Sequence, residues 1–216
     1  MIILFDLDGT LIDSTEAILE SFHHSLAVHN LPSQKDAKIK ELIGYPLDIM
    51  YGNLGIDKIH TDALIATYKE HYRDISREKT ELLQNAKEAV LLAKEFATLG
   101  IVTTKTGYYS RVLMEHSGLM EYFDVLIGRE DVQNPKPHAE PIYRALEKID
   151  TVNKEIWMIG DTKLDLIAAK NADVKSIGVL SGYGTHESLK EFTDMIFNDA
   201  FEAMKYLQKR KNNTLL

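Results

Sequence analysis

At 216 residues, with 44% hydrophobic and 27% charged side chains, the chain can bury a full core as one large domain or as a domain with a small insert. The absence of cysteine excludes disulfides, thiolate zinc sites and a cysteine nucleophile, and it is compatible with a reducing cytoplasm. A formal charge of -8 argues against a nucleic-acid surface, which clustered Lys and Arg would hold, so an anionic ligand must be met by local positive groups.

Residues 2–5 are apolar and β-prone, and they read as a buried strand that runs at once into Asp6 and Asp8. No basic leader with a long apolar core precedes them, and no stretch approaches membrane-spanning length. The expectation is a soluble, cytoplasmic protein with no membrane partner. From about Ser14 to Thr80 the spacing is helical (Ile18, Phe22 and Leu26, then Leu64, Tyr68, Tyr72 and Ile75). It is broken by Pro32, Gly44, Pro46, Gly52 and Gly55, with no convincing strand. Ala86, Ala89, Val90, Ala93 and Ala97 then mark an amphipathic helix, and a strand is expected at 101–103. Further strands are expected at 123–127, 156–159, 176–179 and 195–197. Helical stripes at Ile142, Leu146 and Ile149 and at Phe201, Met204 and Leu207 accompany them, and the polar tail 208–216 is expected to fray. The alternation predicts a doubly wound α/β core with a parallel sheet, formed by residues 1–14 and 80–216. The interval 15–79 predicts a small all-helical cap inserted after the first strand.

Ligands of open α/β sheets bind beyond the carboxyl ends of the strands, so the polar residues after each apolar run are the candidates. They are Asp6 and Asp8, then Thr103, Thr104 and Lys105, then Lys136 within Asn134-Pro135-Lys136-Pro137, then Asp161 with Asp165 a turn later. Asp6, Asp8 and Asp161 would repel one another unless a divalent cation that prefers oxygen offsets the charge, and magnesium fits best. Two carboxylates and a backbone carbonyl leave positions for water and a phosphate oxygen. Lys136 and Thr103 supply the charge and the hydrogen bond that phosphate oxygens require. Taken singly, Asp-Gly-Thr is an ordinary turn, Lys136 a solvated lysine, Thr103 a strand end, and Asp161 and Asp165 helix caps. Their order, each at a strand end, sets them apart.

These residues resemble the motifs of the haloacid dehalogenase-like hydrolases, in the branch with a helical cap between the first and second motifs. The resemblance implies that Asp6 attacks phosphorus to form an aspartyl-phosphate, and that Asp8 protonates the leaving oxygen and later deprotonates water. It also implies that Thr103 and Thr104 bind phosphate, Lys136 neutralises Asp6 and the transferring group, Asp161 holds magnesium, and Asp165 supports the metal or Lys136. Asp8 points to phosphatase chemistry over dehalogenation or phosphonate cleavage. Ile18, standing where the mutases of the branch place a histidine, disfavours a β-phosphoglucomutase-like isomerase. Retention of the nucleophile and metal ligands disfavours a non-catalytic binding relative. Two positions depart from the usual pattern: Thr104-Lys105 where relatives often have asparagine, and His138-Ala139 where they often have Asp-Pro.

By the same resemblance the break around Gly44, Tyr45 and Pro46 is similar to the cap loop that relatives point into the site, which would put Gly44 and Tyr45 at the substrate; a plain turn between two helices is the alternative. The overall pattern is similar to phosphoglycolate phosphatases and to the pyrophosphatases of the branch. The cap has no evident basic cluster beyond the candidates Lys58, Lys69, Arg73 and Arg77. The preferred expectation is therefore a small phosphorylated metabolite carrying a carboxylate, phosphoglycolate, with inorganic pyrophosphate as the alternative.

Overall fold

The structure, a computed structural model, describes residues 1–214. The chain opens with β1 (Ile2–Phe5), a short β2 (Ile12–Asp13), and four helices, α1 (Thr15–Val28), α2 (Asp36–Lys40), α3 (Leu47–Asn53) and α4 (Lys58–Ile75). A short β3 (Glu81–Leu82) leads to α5 (Ala86–Lys94), β4 (Thr98–Val102), α6 (Gly107–His116), β5 (Val125–Ile127) and α7 (Glu140–Leu146). Then follow β6 (Ile156–Gly160), α8 (Lys163–Asn171), β7 (Lys175–Val179), α9 (His186–Lys190), β8 (Ile196–Phe197) and α10 (Ala200–Thr214).

Six strands form one parallel sheet in the order β5-β4-β1-β6-β7-β8, which puts β1 between the two strands that carry the later motifs. Every residue of β1 is buried, because the pleat sends Ile3 and Phe5 to one face and Ile2 and Leu4 to the other. The first face packs under α5 and α10 through Ala89, Val90, Ala93, Met204 and Leu207. The second packs under α7 and α8 through Ile142, Ala145, Ala168 and Ala169. Each fully buried Leu, Ile or Phe on these faces contributes roughly 1.5–3 kcal/mol.

The helices between residues 15 and 75 bury their own cluster, in which Ile18, Phe22 and Leu26 of α1 meet Tyr51 of α3 and Leu64, Tyr68 and Tyr72 of α4. The three- and four-residue spacing read from the sequence is the stripe that α1 and α4 share. β2 and β3 pair antiparallel, Ile12 opposite Leu82 and Asp13 opposite Glu81, so the chain leaves and rejoins the core side by side.

The fourth strand begins at Thr98 rather than at 101, because Thr98, Leu99 and Gly100 pair with Ile2, Ile3 and Leu4 of β1, and the central glycine hides the strand pattern. The tail expected to fray is instead the last two turns of α10 as far as Thr214. Lys211 donates to the Phe96 carbonyl (2.9 Å) and Arg210 to Glu155 (3.1 Å), so polar contacts at the surface tie it to the core. Leu215 and Leu216, the rest of that expected tail, lie outside the described residues.

Candidate active site

The carboxyl ends of β1, β4 and β6 bring Asp6, Thr103 and Asp161 to one edge of the sheet, and each of the three is buried. Lys136 arrives from the segment between β5 and α7 and is 3% exposed. Its ammonium donates to Asp6 Oδ1 (2.7 Å), Asp165 Oδ1 (2.5 Å) and the Val102 carbonyl (3.0 Å), which uses all three of its N–H groups. Burial would pull the lysine pKa down, but Asp165 and Asp6 together outweigh it and hold the group protonated above its ordinary value.

Asp165 serves two ends. Its Oδ2 accepts from the Thr162 amide (3.1 Å) and hydroxyl (2.7 Å), capping α8, while its other oxygen holds Lys136. The capping role and the support of the lysine are one arrangement.

Asp161 is fully buried and lies in a tight cradle. Thr10 Oγ1 donates to Oδ1 (3.1 Å) and the Tyr183 amide to Oδ2 (2.8 Å). Gly9, at φ 82°, and Gly182 press their backbones against the carboxylate so closely that a Cβ on either would overlap it. The loop 182–184 therefore forms one wall of the Asp161 site.

One oxygen each of Asp6, Asp161 and Asp165 falls within 4.8 Å of the others. Three carboxylates against one lysine leave an excess of two buried negative charges. The pKa of Asp6 is raised by burial, with Lys136 opposing and Asp165 adding to it. That of Asp161 is raised by burial and then by Asp6 and Asp165. An all-oxygen donor set carrying that excess fits a hard divalent cation such as magnesium. The trio differs from the set Asp6, Asp8 and Asp161, since the Asp8 carboxylate turns away. Asp8 accepts from Ser14 Oγ, and its Oδ2 lies 3.2 Å from Lys105 Nζ.

Thr103 is buried and its hydroxyl accepts from the Lys105 amide (3.2 Å). Thr104 Oγ1 donates to the Gly44 carbonyl (2.8 Å), joining the loop after β4 to the loop before α3. Gly44 and Tyr45 line a chamber of about 440 Å³ that lies between that loop and Asp8. Lys69, Lys105 and Arg129 stand on its walls together with the carboxylates Asp8, Asp48, Asp62 and Glu130, and Ile18 is part of its apolar surface.

The residues without an assigned role in the sequence reading are Thr10, Ser14, Tyr72, Lys105 and Tyr183. Thr10 and Lys105 stood beside named motif residues, which was the available signal. Tyr183 contributes its backbone amide, and Tyr72 read as an ordinary core position of α4, so their chemistry is invisible before the chain is folded.

The class defined by this fold and site is a hydrolase with buried aspartates at the strand ends of a parallel sheet: the chain belongs to the haloacid dehalogenase-like hydrolases, whose family profile matches residues 3–179. Among individual proteins, it is 35% identical over 178 residues to the pyrophosphatase PpaX of Bacillus cereus strain G9842, with 82% of each chain covered. A predicted phosphatase from Clostridium acetobutylicum superposes with a TM-score of 0.85 at 27% identity, covering 96% of this chain and 98% of that one. A predicted phosphoglycolate phosphatase from Haemophilus somnus reaches the same TM-score at 24% identity, covering 95% and 97%, a likeness of fold.

Proposed function

We propose that the chain is a magnesium-dependent phosphatase in which Asp6 is the nucleophile, and that its preferred substrate is inorganic pyrophosphate. The observation that carries the mechanism is the pairing of Asp6 with the fully engaged Lys136, beside the cradled Asp161. In this reading residues 1–14 and 80–216 form the catalytic core and residues 15–79 the cap.

Lys136 engages one oxygen of Asp6, and the other attacks phosphorus as the bond to the leaving oxygen breaks. Lys136 and the Thr103 hydroxyl balance charge on the phosphoryl oxygens. Asp8 hands its proton to the leaving oxygen, then takes one from the water that attacks the aspartyl-phosphate, and the P–O bond to Asp6 breaks. Asp6 and Asp161, with Asp165 behind them, would hold the magnesium ion, whose charge polarises the phosphoryl group when it is bound.

The preference for pyrophosphate rests on where the cations are. Of Lys58, Lys69, Arg73 and Arg77, only Lys69 lines the chamber; Lys105 and Arg129 come from the core loops, so a count within the helical segment alone misses them. Set against the carboxylates Asp8, Asp48, Asp62 and Glu130 of the same walls, these three cations offer local contacts to a second phosphate, and the 35% identity to a pyrophosphatase points the same way. The same cations can receive a carboxylate, which keeps phosphoglycolate as the second reading. The test is steady-state hydrolysis of pyrophosphate, phosphoglycolate and glycerol phosphate with magnesium and with chelator, in the wild type and in Asp6→Asn. Equal rates with chelator would remove the metal, and substantial turnover by a folded Asp6→Asn protein would remove the nucleophile.

A further inference from the structure

Lys105 is the second lysine of the site, largely enclosed, and its surroundings differ from those of Lys136. It sits on the loop after β4, with its side chain 9% exposed and its ammonium 3.2 Å from Asp8 Oδ2 and 2.9 Å from the Tyr72 hydroxyl. The same nitrogen lies 4.5 Å from the centre of the Tyr72 ring, a cation–π contact with α4. Burial works against its charge, but Asp8 and Tyr72 outweigh that and keep it protonated.

An ammonium has three N–H donors. Lys136 spends all three on protein, whereas the described partners of Lys105 account for two, and Lys105 lines the chamber. The loop that carries it is fastened to the helical segment on both sides. Thr104 donates to the Gly44 carbonyl, and Tyr109 donates to the Lys69 carbonyl (3.0 Å). The ammonium is thus held in place, and Lys69 and Arg129 line the same chamber.

We propose that Lys105 is a specificity-determining residue that receives an anionic oxygen on the leaving group, phosphate or carboxylate, and so selects against neutral alcohols. The assignment rests on the phosphatase reading and deepens it. If Asp8 protonates the leaving oxygen, that oxygen sits within a hydrogen bond of Asp8. A cation 3.2 Å from the same carboxylate then lies within reach of a charged group one or two bonds beyond. Tyr72 holds the same ammonium, so the selection is built jointly by the loop after β4 and by α4.

The experiment is kcat/KM of the full-length chain with magnesium for pyrophosphate, phosphoglycolate and glycerol phosphate, whose leaving group is neutral. The readout is the ratio of the better anionic substrate to glycerol phosphate. Lys105→Met is expected to lower that ratio at least tenfold, and Lys105→Arg to restore most of it. A ratio that falls less than tenfold overturns the assignment. This holds whether all rates drop together, as for a residue acting only on Asp8, or none changes. A fall confined to pyrophosphate identifies a phosphate at Lys105, and one confined to phosphoglycolate a carboxylate. Should Lys105→Met not fold by circular dichroism, the Lys105→Gln and Lys105→Arg pair carries the same comparison and threshold. A wild type inactive on every phosphate compound refutes the phosphatase reading instead, a separate failure.

Discussion

Replacing Lys136 with methionine preserves the length of the side chain and removes its charge, which isolates the electrostatic role of the lysine. In the native site the ammonium contacts two carboxylates and a carbonyl, and it is 3% exposed, so water cannot substitute for it. Taking one partner from a buried ion pair costs about 3–5 kcal/mol, because the other charge stays buried and uncompensated. At roughly 2–4 °C per kcal/mol for a chain of this size, the metal-free Lys136→Met protein should melt roughly 6–20 °C below the wild type. Thermal melts followed by circular dichroism in chelator measure this directly. Two further results are expected: millimolar magnesium should raise the melting temperature of the variant more than that of the wild type, and adding Asp165→Asn should recover part of the loss. A metal-free variant melting within about 3 °C of wild type, less than the cost of one such pair, would refute the picture of Lys136 as the counter-charge of the acidic trio.

The raised pKa values of Asp6 and Asp161 give the pH dependence its sign. The folded state holds protons that the unfolded state has lost, so their contribution is fully present below roughly pH 4, the unfolded carboxylate value, and is lost as pH rises through about 7, the folded value for Asp6. In chelator, wild-type stability should therefore decline with pH across that window more steeply than that of Asp161→Asn, and parallel profiles would contradict the assignment. Gly182→Ala should push the Asp161 carboxylate out of its cradle and lower kcat/KM on the order of 100-fold, the penalty of a misplacement near 1 Å, with a higher magnesium requirement. An unchanged magnesium titration would count against the cradle. Truncation after Leu207 removes the contacts of Arg210 and Lys211. It should lower the melting temperature by roughly 2–4 °C for a loss on the order of 1 kcal/mol, and an unaltered melt would show that those turns add nothing.

Most of the core was legible because buried parallel strands are short unbroken apolar runs, and five of the six lie within two residues of where those runs fall. β4 was misplaced by three residues because Gly100 interrupts the run. β2 and β3, at two residues each, carry too little pattern to be read at all. In the site, Asp6, Thr103 and Asp161 were readable since each directly follows a strand and topology alone brings strand ends together, while Lys136 in the segment after β5 and Asp165 in the first turn of α8 were readable from their place in the same order. The direction in which a side chain turns is a different kind of information. Asp8 is two residues from Asp6, yet its carboxylate joins Lys105 and Ser14 rather than the acidic trio. No spacing rule reports that choice, nor that a backbone amide at Tyr183 would complete the Asp161 site.

The antiparallel pairing of β2 with β3 bears on how the sheet assembles. Ile2 pairs with Thr98, so the two central strands must find each other across nearly a hundred intervening residues. Loop-closure entropy grows only logarithmically, by about 0.6 kcal/mol per doubling, so even the full excursion adds on the order of 1 kcal/mol over a short connection. Once Ile12 meets Leu82, the excursion is pinched shut at its base, and what remains between β1 and β4 is a short turn followed by a single helix. The length of the stretch between Ser14 and Thr80 then enters the search through the β2–β3 closure alone, and only logarithmically, so each doubling of it costs about 0.6 kcal/mol.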